Sequence, residues 1–388
     1  VRPAESVRLS AAVDWDGLMA RKKAVVDTLV GGVGTLLRSN AVRIVEGEAS
    51  FVTPKEIAVT KKDGSKESVS ADAVIVATGS EPVVPPVHGF DLDGVITSTG
   101  ALSLERLPKS VVLVGGGVIG MEFASFYNSL GSRVTVIEML PEILGNNDYE
   151  ISALSRDIFT RKGIEFHLNA KVVRVDGNKV VFEKAGETRT VEGDKILLSV
   201  GRRAVTRGFG LENLNVELDR GGIKVDEKMR TNVPNVFAAG DVTGFSLLAH
   251  TASREGEVVV NNLTGKDDIM RYNAIPGVVY INPEIAGVGE TEESARAKGI
   301  AYKVARLSMA YAGRFVAENE GGVGLCKVLA GEKYGEVIGV HMLGNPSSEM
   351  IYGACLAIEQ EMTLEEMKEV VFPHPTVSEI FKEVIFEF

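Results

Sequence analysis

Residues 111–138, VVLVGGGVIGMEFASFYNSLGSRVTVIE, constrain the fold more than any other part of the chain. Residues 111–114 are a β-branched run expected to form a buried strand. Gly115, Gly117 and Gly120 then fall in G-x-G-x-x-G spacing, and Val118 and Ile119 open a helical stretch that runs through Leu130. Gly131 closes that helix, and residues 134–137 form a second strand ending on Glu138. The first glycine permits the tight turn, the second admits a pyrophosphate, and the third lets helix and strand pack closely. The helix N-terminus adds free N–H groups and partial positive charge. Glu138 follows Gly120 by 18 residues, near the usual spacing of about 20 for the acid that accepts hydrogen bonds from an adenosine ribose. A glycine-rich turn alone is a common structural device. Framed by two strands, a helix and an acid, it points to dinucleotide binding. The acid favours NAD over NADP, because a 2′-phosphate there would meet like charge.

The 388 residues imply two or three domains with ample core. A net charge of −11, without an extended run of lysine or arginine, argues against nucleic acid as a partner. No stretch approaches about 18 consecutive apolar residues, so no membrane-spanning helix is expected. Cys326 and Cys355, the only cysteines, are too few for a disulfide framework and lack metal-site spacing. A reducing compartment fits, either a bacterial cytoplasm or a mitochondrial matrix. The chain opens VRPAESVRLS, without methionine or a signal-peptide pattern, and its start is expected to be a cut rather than a natural beginning.

Residues 14–38 have apolar positions near helical spacing, with Asp14 as N-cap and the Gly31-Gly32 pair weakening the second half. Residues 42–45, 48–52 and 57–60 are expected as strands, with a hairpin turn at Asp63-Gly64. Residues 73–77 form an apolar strand leading into Thr78-Gly79-Ser80. After Glu138, 149–162 is an amphipathic helix, and 164–168, 172–175, 180–182 and 195–200 are strands. Residues 236–240 deliver Asp241 at a strand end, and 249–262 is a helix. From Ile275 the pattern changes to an antiparallel sheet (278–281, 302–307, 324–329, 337–342) with helices at 291–298, 349–361 and 363–370.

These residues resemble the flavoprotein disulfide reductases, and among them the dihydrolipoamide dehydrogenases. The resemblance rests on ATGS at 77–80, GGGVIGMEF at 115–123, Glu138, SVGRR at 199–203, AAGDV at 238–242, LLAH at 247–250, IPGVVYINPEIAGVGETE at 275–292 and HPTVSE at 374–379. These motifs run in family order along nearly the whole chain. The resemblance implies an α/β protein with two Rossmann-like nucleotide-binding domains, the first incomplete, and a C-terminal α+β dimerisation domain. The expected boundaries are 1–104 for the first part of the FAD domain, 105–203 for the NAD domain, 204–270 for the return to the FAD domain, and 271–388 for the interface domain. Expected cofactors are FAD and NAD. Expected partners are a second copy of the chain and the lipoyl domain of a multienzyme complex.

The resemblance also assigns residues. His374 and Glu379 would be the base pair that deprotonates dihydrolipoamide, reaching the disulfide of the other subunit. Without it, a lone histidine between prolines is ordinarily a surface residue. Glu122 would pair with a lysine beside the redox cysteines; that lysine is not in this sequence, so Glu122 is expected to stand without a partner. Otherwise it is a solvated helix acid. Asp241 would hold the ribityl hydroxyls and Ala249 would lie at the flavin ring, with Leu247, Leu248 and His250 beside it. Ala49, Thr78, Gly79 and Ser80 transfer to FAD, and Val172 and Gly201 to NAD. Cys326 and Cys355 are expected in the core. His88, His167, His250 and His341 show no metal-ligand spacing, so no metal is implied.

One departure is large. The family opens with its own G-x-G-x-x-G for the FAD pyrophosphate, followed by C-x-x-x-x-C, and neither occurs here. About 80–90 family residues, the usual length of that half-domain and its cysteine helix, have no counterpart. A fragment of a complete enzyme is the expectation. Two other readings stay open: another member such as a glutathione, trypanothione or mercuric reductase, and a catalytically silent dimer-forming subunit.

Overall fold

The computed structural model describes residues 12–388. A five-stranded parallel sheet lies at its centre, in the order Val95–Thr97, Lys195–Leu198, Ser110–Val114, Arg133–Ile137 and Glu165–His167. A parallel sheet must be covered on both faces, and alternate side chains of the same strands do this. Val111, Leu113, Val134 and Val136 pack against Met121, Ala124 and Tyr127 of helix Val118–Ser129 and Ile151, Ile158 and Phe159 of helix Tyr149–Arg161. Val112, Val114 and Ile196 face the other way, onto Val175, Val180 and Phe182 of an antiparallel meander, Ala170–Asp176, Lys179–Lys184 and Glu187–Glu192. Val95–Thr97, which the expected boundaries leave in the segment 1–104, hydrogen-bonds into this sheet.

A second unit joins distant parts of the chain. Val74–Val76 pairs in parallel with Val236–Ala238. Val76, Val236 and Ala238 bury against Phe51, Leu211 and Ile223. Phe51 belongs to the meander Glu48–Thr53, Glu56–Thr60 and Lys66–Ser70. Helix Ala249–Leu263 closes the unit with Val258 and Val259 against Phe237 and Met270.

The C-terminal part is a five-stranded antiparallel sheet ordered Gly277–Val279, Ile285–Gly289, Val337–Leu343, Leu325–Gly331 and Tyr302–Ser308. Helices Ser347–Glu359, Leu364–Glu369 and Glu379–Phe386 cover it through Ile351, Ala354, Met367, Ile380, Phe381 and Val384. The mixed α/β class expected from the sequence is the one observed.

Several elements differ from expectation. Residues 42–45 form no strand; Val42 and Ile44 are exposed and find no partner strand. Gly31 and Gly32 do not interrupt the first helix, Trp15–Ser39, whose N-cap Asp14 accepts from the Gly17 amide at 2.9 Å. Strands Lys66–Ser70, Glu187–Glu192 and Ile285–Gly289 and helix Glu379–Phe386 are additions to the expected elements. Among the described residues no helix is long and apolar enough to cross a membrane.

Candidate active site

The glycine turn has an open side and a closed side. A Cβ on Gly120 would lie 2.2 Å from the Gly115 carbonyl oxygen, and one on Gly115, at φ +106°, would lie 2.5 Å from that of Ser199. At Gly117 a Cβ would meet nothing within 4 Å. Gly117 is also the N-cap of helix Val118–Ser129 and has no side chain to cap it, so the first-turn N–H groups, those of Val118 and Ile119 among them, face that opening. This is the space and polarity a pyrophosphate requires, and the residues fit NAD. Glu138, 9% exposed, accepts from the Gly116 amide at 2.6 Å through one oxygen and from the Leu140 amide at 2.7 Å through the other. Each carboxylate oxygen retains a second lone pair for a ribose hydroxyl. Val172 lies half-buried on the adjoining meander, opposite Phe182, and Gly201 is exposed at φ +118° with open space beside it.

The second group forms where the parallel strands Val74–Val76 and Val236–Ala238 end. Ser80 Oγ donates to Asp241 Oδ2 at 2.5 Å, and Thr78 Oγ1 donates to the Val205 carbonyl at 2.7 Å. A Cβ on Gly79, at φ +72°, would meet nothing within 4 Å, so the backbone between these two side chains is open to a ligand. Ligands bind at such carboxyl ends of parallel strands, and an acid held by a serine hydroxyl suits the hydroxyl-rich chain of FAD. Leu247 and Leu248 lead into helix Ala249–Leu263, where Ala249 and His250 are exposed. His250 Nε2 donates to the Pro276 carbonyl at 2.9 Å, which fixes the proton on that nitrogen because a carbonyl only accepts. Ala49 stands apart from this group, exposed on the edge strand Glu48–Thr53.

Among the described residues Glu122 has no lysine partner, and the backbone holds it instead. Its Oε1 accepts from the Tyr280 amide at 2.9 Å, tying the glycine-turn helix to the antiparallel sheet. Burial nonetheless pushes its carboxyl above the ordinary value.

His374 and Glu379 meet on the C-terminal domain. His374 Nδ1 lies 2.8 Å from Glu379 Oε1, and Glu379 Oε2 accepts from the Thr376 amide at 2.9 Å. The Thr376 amide and His374 hold the Glu379 carboxyl below its ordinary value. The imidazole is exposed, and Val371, three residues earlier, is 91% exposed. Among the described residues no hydrogen bond joins this pair to either nucleotide group. Neither thiol of the chain suits it: Cys326 is buried, and burial pushes the half-buried Cys355 thiol up to about 11. Among the described residues no cluster of His, Cys, Asp or Glu could hold a metal ion.

Two residues with no role assigned from the sequence support the second group. Arg202 donates from Nε to Ser80 Oγ and from Nη2 to the Ser80 carbonyl, each at 2.7 Å; its place in SVGRR was the only signal. Glu255 is fully buried, accepting from the Gly240 amide at 2.5 Å and from the Tyr272 hydroxyl at 2.8 Å. Burial raises its carboxyl, and one glutamate on a helix carries no sequence signal of such a position.

Residues 2–256 match the family described as pyridine nucleotide-disulphide oxidoreductase, and residues 275–385 match its dimerisation domain. The chain is 38% identical over 390 residues to a mitochondrial dihydrolipoyl dehydrogenase of Caenorhabditis elegans, covering 98% of this chain and 78% of that one. It is 38% identical over 379 residues to dihydrolipoyl dehydrogenase of Geobacillus stearothermophilus, covering 96% and 80%. In structure it resembles the HOCl-induced flavoprotein disulfide reductase RclA of Escherichia coli, solved as a Cu(II) complex, with a TM-score of 0.89 and 28% identity over 97% of this chain and 86% of that one. The chain therefore belongs to the pyridine nucleotide-disulphide oxidoreductases, enzymes that use FAD and NAD(H), and carries their dimerisation domain.

Proposed function

We propose that the protein is a dihydrolipoyl dehydrogenase that reoxidises dihydrolipoamide and reduces NAD, acting as a homodimer on the lipoyl domain of a 2-oxo acid dehydrogenase or glycine cleavage complex. The observation that carries this reading is the His374–Glu379 pair on an exposed turn of the dimerisation domain. The thiolate is the reactive form of a dithiol, and a free thiol is mostly protonated near neutrality. With Nδ1–H donated to Glu379, the His374 Nε2 lone pair is free to take a proton from a dihydrolipoyl sulfur. Glu379, itself held by the Thr376 amide, fixes the ring and stabilises the imidazolium that forms. In the homodimer the pair of one subunit would serve a redox disulfide of the other, supplied by a C-x-x-x-x-C that is not among these 388 residues.

FAD, when bound, supplies the two-electron relay between dithiol and nicotinamide. Asp241, Ser80, Thr78 and Gly79 would hold it, with Ala49 and the segment 247–250 contributing further contacts. Gly115, Gly117, Val118, Ile119 and Gly120 would hold the NAD pyrophosphate, Glu138 the adenosine ribose, and Val172 and Gly201 the flanks. Glu122, half-buried between the two regions and braced by Tyr280, would place a carboxyl on the flavin side of the glycine-turn helix.

Steady-state assays of the enzyme that carries the C-x-x-x-x-C segment missing from these 388 residues test the reading. Reduction of NAD by dihydrolipoamide is expected, with NADP a poor substitute and glutathione disulfide not reduced by NADPH. Efficient NADPH-driven reduction of glutathione disulfide would replace this reading with that of another family member.

A further inference from the structure

Lys327 sits at an unusual place for a lysine. It lies on strand Leu325–Gly331 of the antiparallel sheet, is 1% exposed, and points across to the nucleotide domain. Its Nζ is 2.6 Å from Glu292 Oε1, 2.9 Å from Asp148 Oδ2 and 3.3 Å from Glu150 Oε2. Arg306, its direct neighbour on strand Tyr302–Ser308, reaches Glu150 Oε2 at 2.9 Å. A buried lysine is costly to dehydrate, and this one shares its charge between Glu292 of its own domain and Asp148 and Glu150 of the nucleotide domain, which ties the two together.

The arrangement fixed is the loop that leaves Glu138. Asp148 ends that loop and caps helix Tyr149–Arg161, its Oδ1 accepting from the Glu150 and Ile151 amides. Within the loop, the Leu140 amide donates to Glu138 Oε1 and the Leu144 amide donates to the Gly116 carbonyl at 2.9 Å. One end of the loop is thus bound to the glycine turn and the other is held by a cation of the dimerisation domain. We propose that Lys327, through Asp148, is a positioning residue for dinucleotide binding, setting loop 139–147 so that Glu138 and Leu144 hold the glycine turn in its binding shape. This rests on the dinucleotide reading of that turn and goes beyond it, because the residue in control lies in the domain that makes the dimer.

Calorimetric titration of the full protein with NADH and with ADP-ribose tests it, alongside hydrogen exchange at the Leu140 and Leu144 amides. Lys327→Met is expected to raise both dissociation constants roughly tenfold, within the usual range of coupling between sites, and to lower protection at both amides. Lys327→Arg should restore binding. Asp148→Asn keeps an equally good helix cap while removing the charge, so it should weaken binding in the same way and decides the matter if Lys327→Met does not fold. If the folded variants bind NADH as tightly as the unaltered protein, the network only supports the fold and the proposal is wrong. If the unaltered protein binds neither NADH nor ADP-ribose, the dinucleotide reading itself falls and takes the proposal with it.

Discussion

Glu379 holds His374 with one carboxylate oxygen, 2.8 Å from Nδ1, and is itself held through the other by the Thr376 amide at 2.9 Å. The imidazole is therefore exposed yet oriented, with Nε2 turned to whatever approaches the turn. His374→Ala should slow dithiol oxidation by roughly 10²–10⁴, the usual contribution of a positioned general base. Oxidation of NADH by an artificial electron acceptor needs no thiol deprotonated and should be nearly unchanged. Measuring both rates on one preparation checks this; equal losses in the two would remove His374 from the thiol step.

Glu138 performs two tasks at once, holding the Gly116 and Leu140 amides and presenting negative charge where an adenosine ribose would lie. Glu138→Gln retains one good acceptor but no charge. The preference for NAD over NADP should narrow by about tenfold or more, since like charges about 4 Å apart near a protein surface repel by up to about 4 kcal/mol. The ratio of kcat/KM values for the two nucleotides measures it. An unchanged ratio would mean that the carboxylate serves the turn alone.

The parallel sheet was legible because its strands are short β-branched runs buried on both faces, as Val111, Val112, Leu113 and Val114 are. Lys66–Ser70 and Glu187–Glu192 were not, because edge strands with largely exposed side chains are held by backbone pairing and show little apolar alternation. Val42 and Ile44 show the converse: alternation without a neighbouring strand makes no strand. Ile285–Gly289 was hidden by its glycines, which stand there because His341 and the Ile338 carbonyl leave no room for a Cβ on Gly287 or Gly289. Motif spacing brought out the glycine turn, whereas Asp241 and the His374 pair became candidates only through the family resemblance. Glu255 and Lys327 remained invisible, since a charged residue reads as solvated until the fold shows its distant partners.

Glu255 makes a prediction about pH. Burial raises its carboxyl above the ordinary 4.5, so between that value and the raised one the folded protein binds more protons than the unfolded chain. Stability contributed by the protonated group is complete below 4.5 and is lost as pH rises through the folded value. Glu255→Gln removes the titration while an amide can still accept from Gly240 and donate to the Tyr272 oxygen. Thermal unfolding followed across this pH range should show the unaltered protein losing stability relative to the variant as pH rises. Identical slopes would show that the buried carboxyl does not titrate there.

Gly117 and Gly120 separate binding from folding within one turn. A methyl on Gly120 would lie 2.2 Å from the Gly115 carbonyl oxygen and 2.7 Å from Ser199 Oγ, against backbone that cannot move aside without opening the strand–helix contact. Gly120→Ala should therefore destabilise the protein by about 1–3 kcal/mol, as overpacking does. At Gly117 the same methyl meets nothing within 4 Å, and the backbone there, at φ −69°, suits alanine. Gly117→Ala should leave the melting temperature almost unchanged, yet fill the space in which the pyrophosphate would approach the helix N-terminus. NADH affinity should fall by about 10–100-fold, a cost of about 1.4–2.8 kcal/mol. Calorimetric scanning and NADH titration of the two variants give the comparison. If Gly117→Ala binds NADH normally, the nucleotide does not cross the turn at this glycine, and the opening has another use.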